Sequence, residues 1–376
     1  MTANKKGKKI RNSSIVCITE VLGLTAAAVS LSVISSMLPL NLLGFLCVAM
    51  ASALFACVLF LVNPGAIIIA GMASFAVSFA LSGDITCACA SLIYIVIGAL
   101  IYFGVRKKKN RTQITVRIAC ALAVVYAAYF AFSFMSSTGR FSITGITSVI
   151  DSELTNGVET LVGQYNTTLS QYAGEIEAAQ SAYIGEDAVK ELVTSLKALI
   201  PAFFVLYNLL IAYLATALFK PAYNIFIPMA NPNRKRIKNK YWRVNISSVS
   251  AIIMITAIIF AFVLSKEPLP SAVVMNLIYI LAPGFCIMGI YVLYDKIFKP
   301  GAGLLPVMMI VSAVMLIMLF PLAAVIALYT AIAVLMAAGL YSALIGDIKK
   351  FIDKAKKVML GDDDDNNDDN DDDYID

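Results

Sequence analysis

The sequence predicts an all-α fold, a polytopic transmembrane helical bundle of about ten spans with a small helical extracytoplasmic region. Three observations predict it. Of 376 residues, 60% are hydrophobic and only 14% are charged. Ordinary soluble domains carry about 25% charged residues, and a soluble fold could not hide this much apolar surface. The charges fall in clusters between long apolar runs, and ~18 such residues are enough to cross the ~30 Å hydrocarbon core as a helix. No run shows the short alternating segments of a membrane barrel. A helix also satisfies its own backbone where no water can.

The spans follow in chain order. Lys5, Lys6, Lys8, Lys9 and Arg11 precede a first apolar run too long for a signal-peptide core. No small-residue cleavage site clearly follows it, so it reads as a retained first span. The expected spans are 14–38, 42–62, 65–82, 85–105, 117–138, 195–219, 247–264, 271–294, 303–320 and 322–345. Residues 303–345 are one apolar stretch, interrupted only around Phe320-Pro321. That is too long for one crossing, and proline suits a tight turn between two.

Charge sets the orientation. With the N-terminus in the cytoplasm, the inside segments are 1–13, 63–64, 106–117, 220–246, 295–302 and 346–376. They hold 25 of the 29 Lys and Arg, leaving Arg140, Lys190, Lys197 and Lys266 outside. This is the positive-inside pattern. An even number of spans also keeps the Lys349–Lys357 cluster, and the C-terminus, inside. The expected organisation is a membrane domain at 1–109, a fifth span in 110–138, the extracytoplasmic region at 139–194, a second membrane bundle at 195–358 and a tail at 359–376.

In 139–194, Ile150, Leu154, Val158, Leu161, Tyr165, Leu169, Tyr172 and Ile176 recur at helical steps of three and four. Gly157, Gly163 and Gly174 argue against one continuous rod. Glu186 and Asp187 suit the first turn of a new helix running into the sixth span. The region carries eight acidic and two basic residues. It reads as a helical cap on the outer mouth of the bundle, or as a lid or partner-binding surface. Asn166-Thr167-Thr168 matches a glycosylation sequon, but nothing else indicates a eukaryotic secretory protein.

The loop 220–246 contains Asn231-Pro232-Asn233-Arg234-Lys235-Arg236, then Lys238, Lys240 and Arg243. Its place between two spans explains these charges as topogenic and in contact with anionic lipid. Membrane lipids are therefore the expected partner, rather than nucleic acid. The Arg106–Arg111 cluster reads the same way. Residues 362–376 hold ten aspartates, which repel one another and bury nothing, so a disordered, solvated tail is expected. Weak cation binding or a basic partner is the alternative.

Few polar groups fall inside the spans. Glu20 is the only acidic or basic residue placed well within one, and such a group is costly unless it faces a cavity or a partner. The alternative is a position near the inner interface, hydrogen-bonded to neighbouring helices. Asn208, Asn276 and Tyr279 are the next candidates for ligand contact, against a role as helix–helix glue. Ala26/Ser30 and Ala28/Ser32 are small-xxx-small pairs that let another helix approach, within the chain or from a docking partner.

All seven cysteines lie in apolar runs and read as small buried hydrophobes. The chain has no histidine, which excludes a Ser-His-Asp triad and an H-E-x-x-H zinc site. It also lacks a phosphate-binding G-x-x-x-x-G-K-[ST] loop and an acidic pair within a span. No enzymatic activity, metal or cofactor is expected.

Two resemblances add to this reading. Residues 14–106, with a small-residue first span, then Leu38-Pro39-Leu40, then closely spaced spans, are similar to the membrane-embedded substrate-binding subunits (S-components) of energy-coupling-factor vitamin transporters. That resemblance implies docking on an energy-coupling transmembrane subunit and its ATPases through Ala26, Ala28, Ser30 and Ser32. The whole layout resembles the YybS-like family of multi-spanning bacterial membrane proteins. In the second half, the likeness rests on Leu199-Ile200-Pro201, Tyr241-Trp242-Arg243, Asn276-Leu277 and Gly339-Leu340 followed by Gly346-Asp347-Ile348-Lys349-Lys350. Val244 stands where that pattern has proline, and lysines where it has arginine. The resemblance implies a bacterial plasma membrane and small-molecule transport or substrate binding. A non-catalytic envelope scaffold is the alternative.

Overall fold

The computed structural model describes residues 3–38, 42–62, 65–138, 142–172, 184–230, 236–237, 242–264, 268–297 and 321–360. The expected span 303–320, the acidic tail, residues 173–183 and the Asn231–Lys235 part of the basic motif lie outside them. The described residues form eleven helices and no strand: α1 (Ala3–Met37), α2 (Leu42–Leu61), α3 (Ala66–Ser82), α4 (Ile85–Ala90), α5 (Ile93–Arg106), α6 (Arg111–Thr138), α7 (Ile143–Tyr172), α8 (Glu186–Ala230), α9 (Ser248–Val263), α10 (Pro268–Ile297) and α11 (Pro321–Leu360).

Among the described residues, seven helical stretches are long and apolar enough to cross a membrane: Ile18–Met37, Leu43–Leu61, Ile85–Arg106, Arg111–Phe132, Glu186–Ala230, Pro270–Asp295 and Leu328–Gly346. Ile67–Ser82 and Ser248–Val263 are shorter apolar helices at two further expected spans. Large apolar side chains stand open on these helices, among them Phe262 at 80% exposure and Val124 at 70%. Water would not tolerate so many at once. The chain is a helical membrane protein.

The fold divides into two compact units. The first is Met1–Leu122, Tyr207–Thr256 and Ile280–Asp376; the second is Ala123–Leu206 and Ala257–Tyr279. In the first, α1 packs on α2, α3 and α4, and α2 packs on α5. The α2 sequence explains its central place, because Ala49, Ala51, Ala53 and Ala56 are all buried and admit close neighbours. Gly98 of α5 lies against the Ser52 carbonyl and the Phe55 ring, where a Cβ would fall 3.0 and 2.9 Å from them. Hydroxyls tie the helices together: Ser36 to Ser78 at 3.1 Å and Ser74 to Tyr94 at 2.8 Å.

The α3 helix stops at Gly83, whose φ of 65° closes a left-handed cap with its N–H on the Phe79 carbonyl. Asp84 then caps α4 by accepting from the Thr86 amide at 2.9 Å. The Thr86 hydroxyl and amide hold the Asp84 carboxyl below the usual carboxylate range. The expected fourth span, 85–105, is not one helix. It breaks at Ser91-Leu92, where the Ser91 hydroxyl donates to the Ala88 carbonyl at 2.7 Å and competes with the regular ladder.

In the same unit, α10 and α11 cross through glycine on both sides. A Cβ at Gly289 would land on the Leu335 carbonyl, and one at Gly339 on the Phe285 carbonyl. The α11 helix opens at Pro321, where the long apolar run was divided and where proline fits a first turn.

In the second unit, α7 pairs with the start of α8. Val158, Val162 and Val193 form its core, flanked by Leu154, Ile184, Val189 and Leu196. The buried stripe of α7 therefore departs from the sequence reading. It runs through Val162 in place of Leu161, and Leu161 and Tyr165 are exposed. The helix passes unbroken through Gly157 and Gly163, both in open positions, so the glycines do not divide it. Asn166, the sequon residue, has its amide occupied, donating to the Ile184 carbonyl at 3.0 Å and accepting from the Ile184 amide at 3.2 Å. As expected, Glu186 and Asp187 occupy the first turn of α8, where the helix dipole favours them.

Candidate functional site

A polar cluster in an apolar setting belongs to the first unit and centres on Arg111. The α6 helix starts there because Asn110 caps the Gln113 amide at 2.8 Å. Arg111 is only 3% exposed. Its Nε donates to Thr216 Oγ1 at 3.3 Å, one terminal nitrogen to the Tyr291 hydroxyl at 3.0 Å, and the other to the Tyr213 carbonyl at 3.3 Å. The Tyr213 ring lies against it, 4.4 Å from Cζ to ring centre. Thr115, one turn further along α6, shares a hydrogen bond with Thr216 at 3.1 Å.

None of these partners is a carboxylate. Among the described residues its hydrogen-bond acceptors are all neutral, and a buried guanidinium without a counter-charge costs several kcal/mol in a dry interior. Its place at the start of α6 makes matters worse, since a helix N-terminus is itself partially positive.

More cations surround it. Arg243 forms a two-pronged pair with both oxygens of Asp295, one prong at 2.9 Å, and stands 5.8 Å from the Tyr291 ring centre. That pair raises the Arg243 pKa and keeps the guanidinium charged. Lys220, one turn along α8 from Thr216, lies in electrostatic reach of both Arg111 and Arg243. Tyr291 thus bridges the two guanidinium groups.

The loop that brings Arg243 here is anchored. Trp242 is buried, donates to the Thr216 carbonyl at 2.8 Å and packs on Phe219 with ring centres 5.5 Å apart. Asn224 clasps Ile237 through both backbone groups at 3.1 and 2.8 Å, and the Asn245 amide donates to Thr112 at 2.8 Å. Sequence reading treated these charges as facing lipid, yet Arg111 is enclosed by protein and Arg243 is tied to α10. The available signal was polar residues at helical spacing within apolar segments: Tyr213, Thr216 and Lys220 on α8, and Tyr291 and Asp295 on α10.

The residues singled out from the sequence lie elsewhere. Glu20 sits on α1 with Oε2 buried and no hydrogen-bond partner for it among the described residues. Asn208 is buried in the first unit at 1% exposure. Asn276 belongs to the second unit, and backbone takes its amide. It accepts from the Ala202 amide at 2.8 Å and donates to the carbonyls of Ala198 and Ala272 at 2.6 and 2.8 Å. Tyr279 is exposed. The small pairs separate: Ala28 and Ser32 are buried, while Ala26 and Ser30 are exposed. Among the described residues no group of three or more His, Cys, Asp or Glu could hold a metal ion. No protein-family profile, curated protein or solved structure matches the chain.

Proposed function

We propose that this membrane protein binds a small molecule and carries it across the plasma membrane of a bacterium, acting as a carrier rather than an enzyme. In this reading it has ten spans, an extracytoplasmic cap at 139–194 and both termini in the cytoplasm. One observation carries the proposal: Arg111 is buried, charged and held in place by neutral groups from α8 and α10. A passive scaffold gains nothing from such a charge, whereas a solute-binding protein uses it to attract a ligand. The exposed Ala26/Ser30 face of α1 supports a partner helix from an energy-coupling transmembrane subunit with its ATPases.

The test is uptake. A strain lacking the chain should lose uptake of at least one nutrient in a broad panel. The wild-type chain should restore it, and Arg111→Gln at equal membrane abundance should not. Uptake of the whole panel at the wild-type rate in the deletion strain would leave the scaffold reading in its place.

A further inference from the structure

We propose that the connection 242–247 is the fixed jaw of a gate, and that the α10–α11 pair swings away from it when the Arg243–Asp295 ion pair releases. The inference rests on the carrier reading for its purpose, access to Arg111; the movement itself is measured independently of uptake. Burial alternates along the connection. Trp242 and Val244 are buried and Ile246 is half-buried, while Arg243, Asn245 and Ser247 are exposed. The strap therefore turns an apolar edge to the helices and a polar edge outwards. Its attachments differ in kind on the two sides. Towards α8 and α6 they are uncharged: Trp242 donates to the Thr216 carbonyl at 2.8 Å and packs on Phe219, and the Asn245 amide donates to Thr112 at 2.8 Å. Towards α10 the polar tie is the Arg243–Asp295 pair, whose side chains are 43% and 46% exposed. A pair that open to solvent holds weakly and is screened by salt.

The α10 helix has a hinge in the right place. Pro283 lies inside it and leaves one carbonyl of the ladder without its usual donor. Gly284 follows, and a Cβ there would fall 2.7 Å from Ile246 Cδ1, so the strap seats Ile246 on the hinge itself. Beyond the hinge, 285–297 carries both Tyr291 and Asp295. That stretch is joined to α11 by backbone contact at Gly289 and Gly339, so the two helices move as one piece. Arg111 lies behind the latch. It donates to the Tyr291 hydroxyl at 3.0 Å, and Arg243 stands 5.8 Å from the same ring. Swinging 285–297 outwards removes Tyr291 and bares the Arg111 head, while its contacts with Thr216 and the Tyr213 carbonyl on α8 stay in place.

The test measures distances in the full chain in phosphatidylcholine nanodiscs. Nitroxides carried on non-native amino acids replace exposed residues in pairs, Ile225 on α8 with Ile290 on α10, and Ile290 with Tyr341 on α11. Electron–electron resonance reads each distance in about 0.1 M and about 1 M potassium chloride, which shortens the screening length from ~10 to ~3 Å. Acrylamide quenching of Trp242, the chain's single tryptophan, reports whether the strap stays on α8. The expected result is a second, longer α8–α10 distance whose share rises several-fold at high salt. Asp295→Asn should populate it at low salt and abolish the salt response. The charge exchange Arg243→Asp with Asp295→Arg should restore the short distance, a rescue that a loss of packing would not give. The α10–α11 distance and the Trp242 quenching should stay constant throughout. A single α8–α10 distance under all conditions would overturn the proposal, and so would both distances lengthening together or Trp242 becoming open to quencher in step. The salt series on the native pair of charges decides the matter if Asp295→Asn fails to fold. Opening without uptake of any nutrient leaves the gate standing and removes the carrier reading; uptake without opening gives the reverse.

Discussion

Asn276 shows how a single side chain does what the backbone next to a proline cannot. Pro201 offers no N–H to the carbonyl four residues before it. One residue further, Ala202 and Ala198, themselves four apart, are both held by the Asn276 amide. Asn276→Asp keeps the size but turns an oxygen towards two carbonyls. It is expected to cost about 1–3 kcal/mol, more than Asn276→Leu. Thermal unfolding in mild detergent gives the order of the two, and equal losses would remove the role of the donors. The sequence showed a polar residue within a span, but polarity alone does not distinguish ligand contact from stitching, because both need a partner in a dry medium. Arg111 was harder to read. Three lysines precede it in the same turn, and a topogenic cluster has the same composition whether its last member faces headgroups or the bundle.

At the scale of elements, the α10–α11 crossing depends on two glycines, each lying on the other helix's backbone. Gly289→Ala and Gly339→Ala should each lower stability by about 1–3 kcal/mol, as overpacking does. The double variant should cost less than their sum, because the first methyl already separates the helices. Strict additivity in a double-mutant cycle would show that the two positions are not one contact. Hydropathy made most helices legible, since hydrocarbon leaves the backbone few alternatives. Register was less legible. Val162 and Leu161 are equally apolar, and only the position of Val193 on the neighbouring helix decides which is buried. The break at Ser91 was hidden too, for a serine in a span also reads as an ordinary member of the helix.

For the whole molecule, charge and apolar length together set the expected crossings, and the proposed topology can be tested directly. Alkaline phosphatase fused after Gly163 should be active, and fusions after Arg236 or Leu360 inactive. Activity at Leu360 would require an odd number of crossings and return 303–345 to a single span with a re-entrant piece. What the sequence could not supply is the grouping of helices into units. Residues from both ends of the chain belong to the first unit, and no local pattern encodes that assembly. Each unit closes one connection with the same device: Asn166 gripping Ile184 in one, Asn224 gripping Ile237 in the other. An amide that mimics a backbone partner works as a buckle. It fixes the two ends of a connection whatever lies between them, and lengthening the intervening chain then costs only about 0.6 kcal/mol per doubling. These two connections are where the chain can take up insertions, through evolution or an engineered tag, while the helices on either side keep their places.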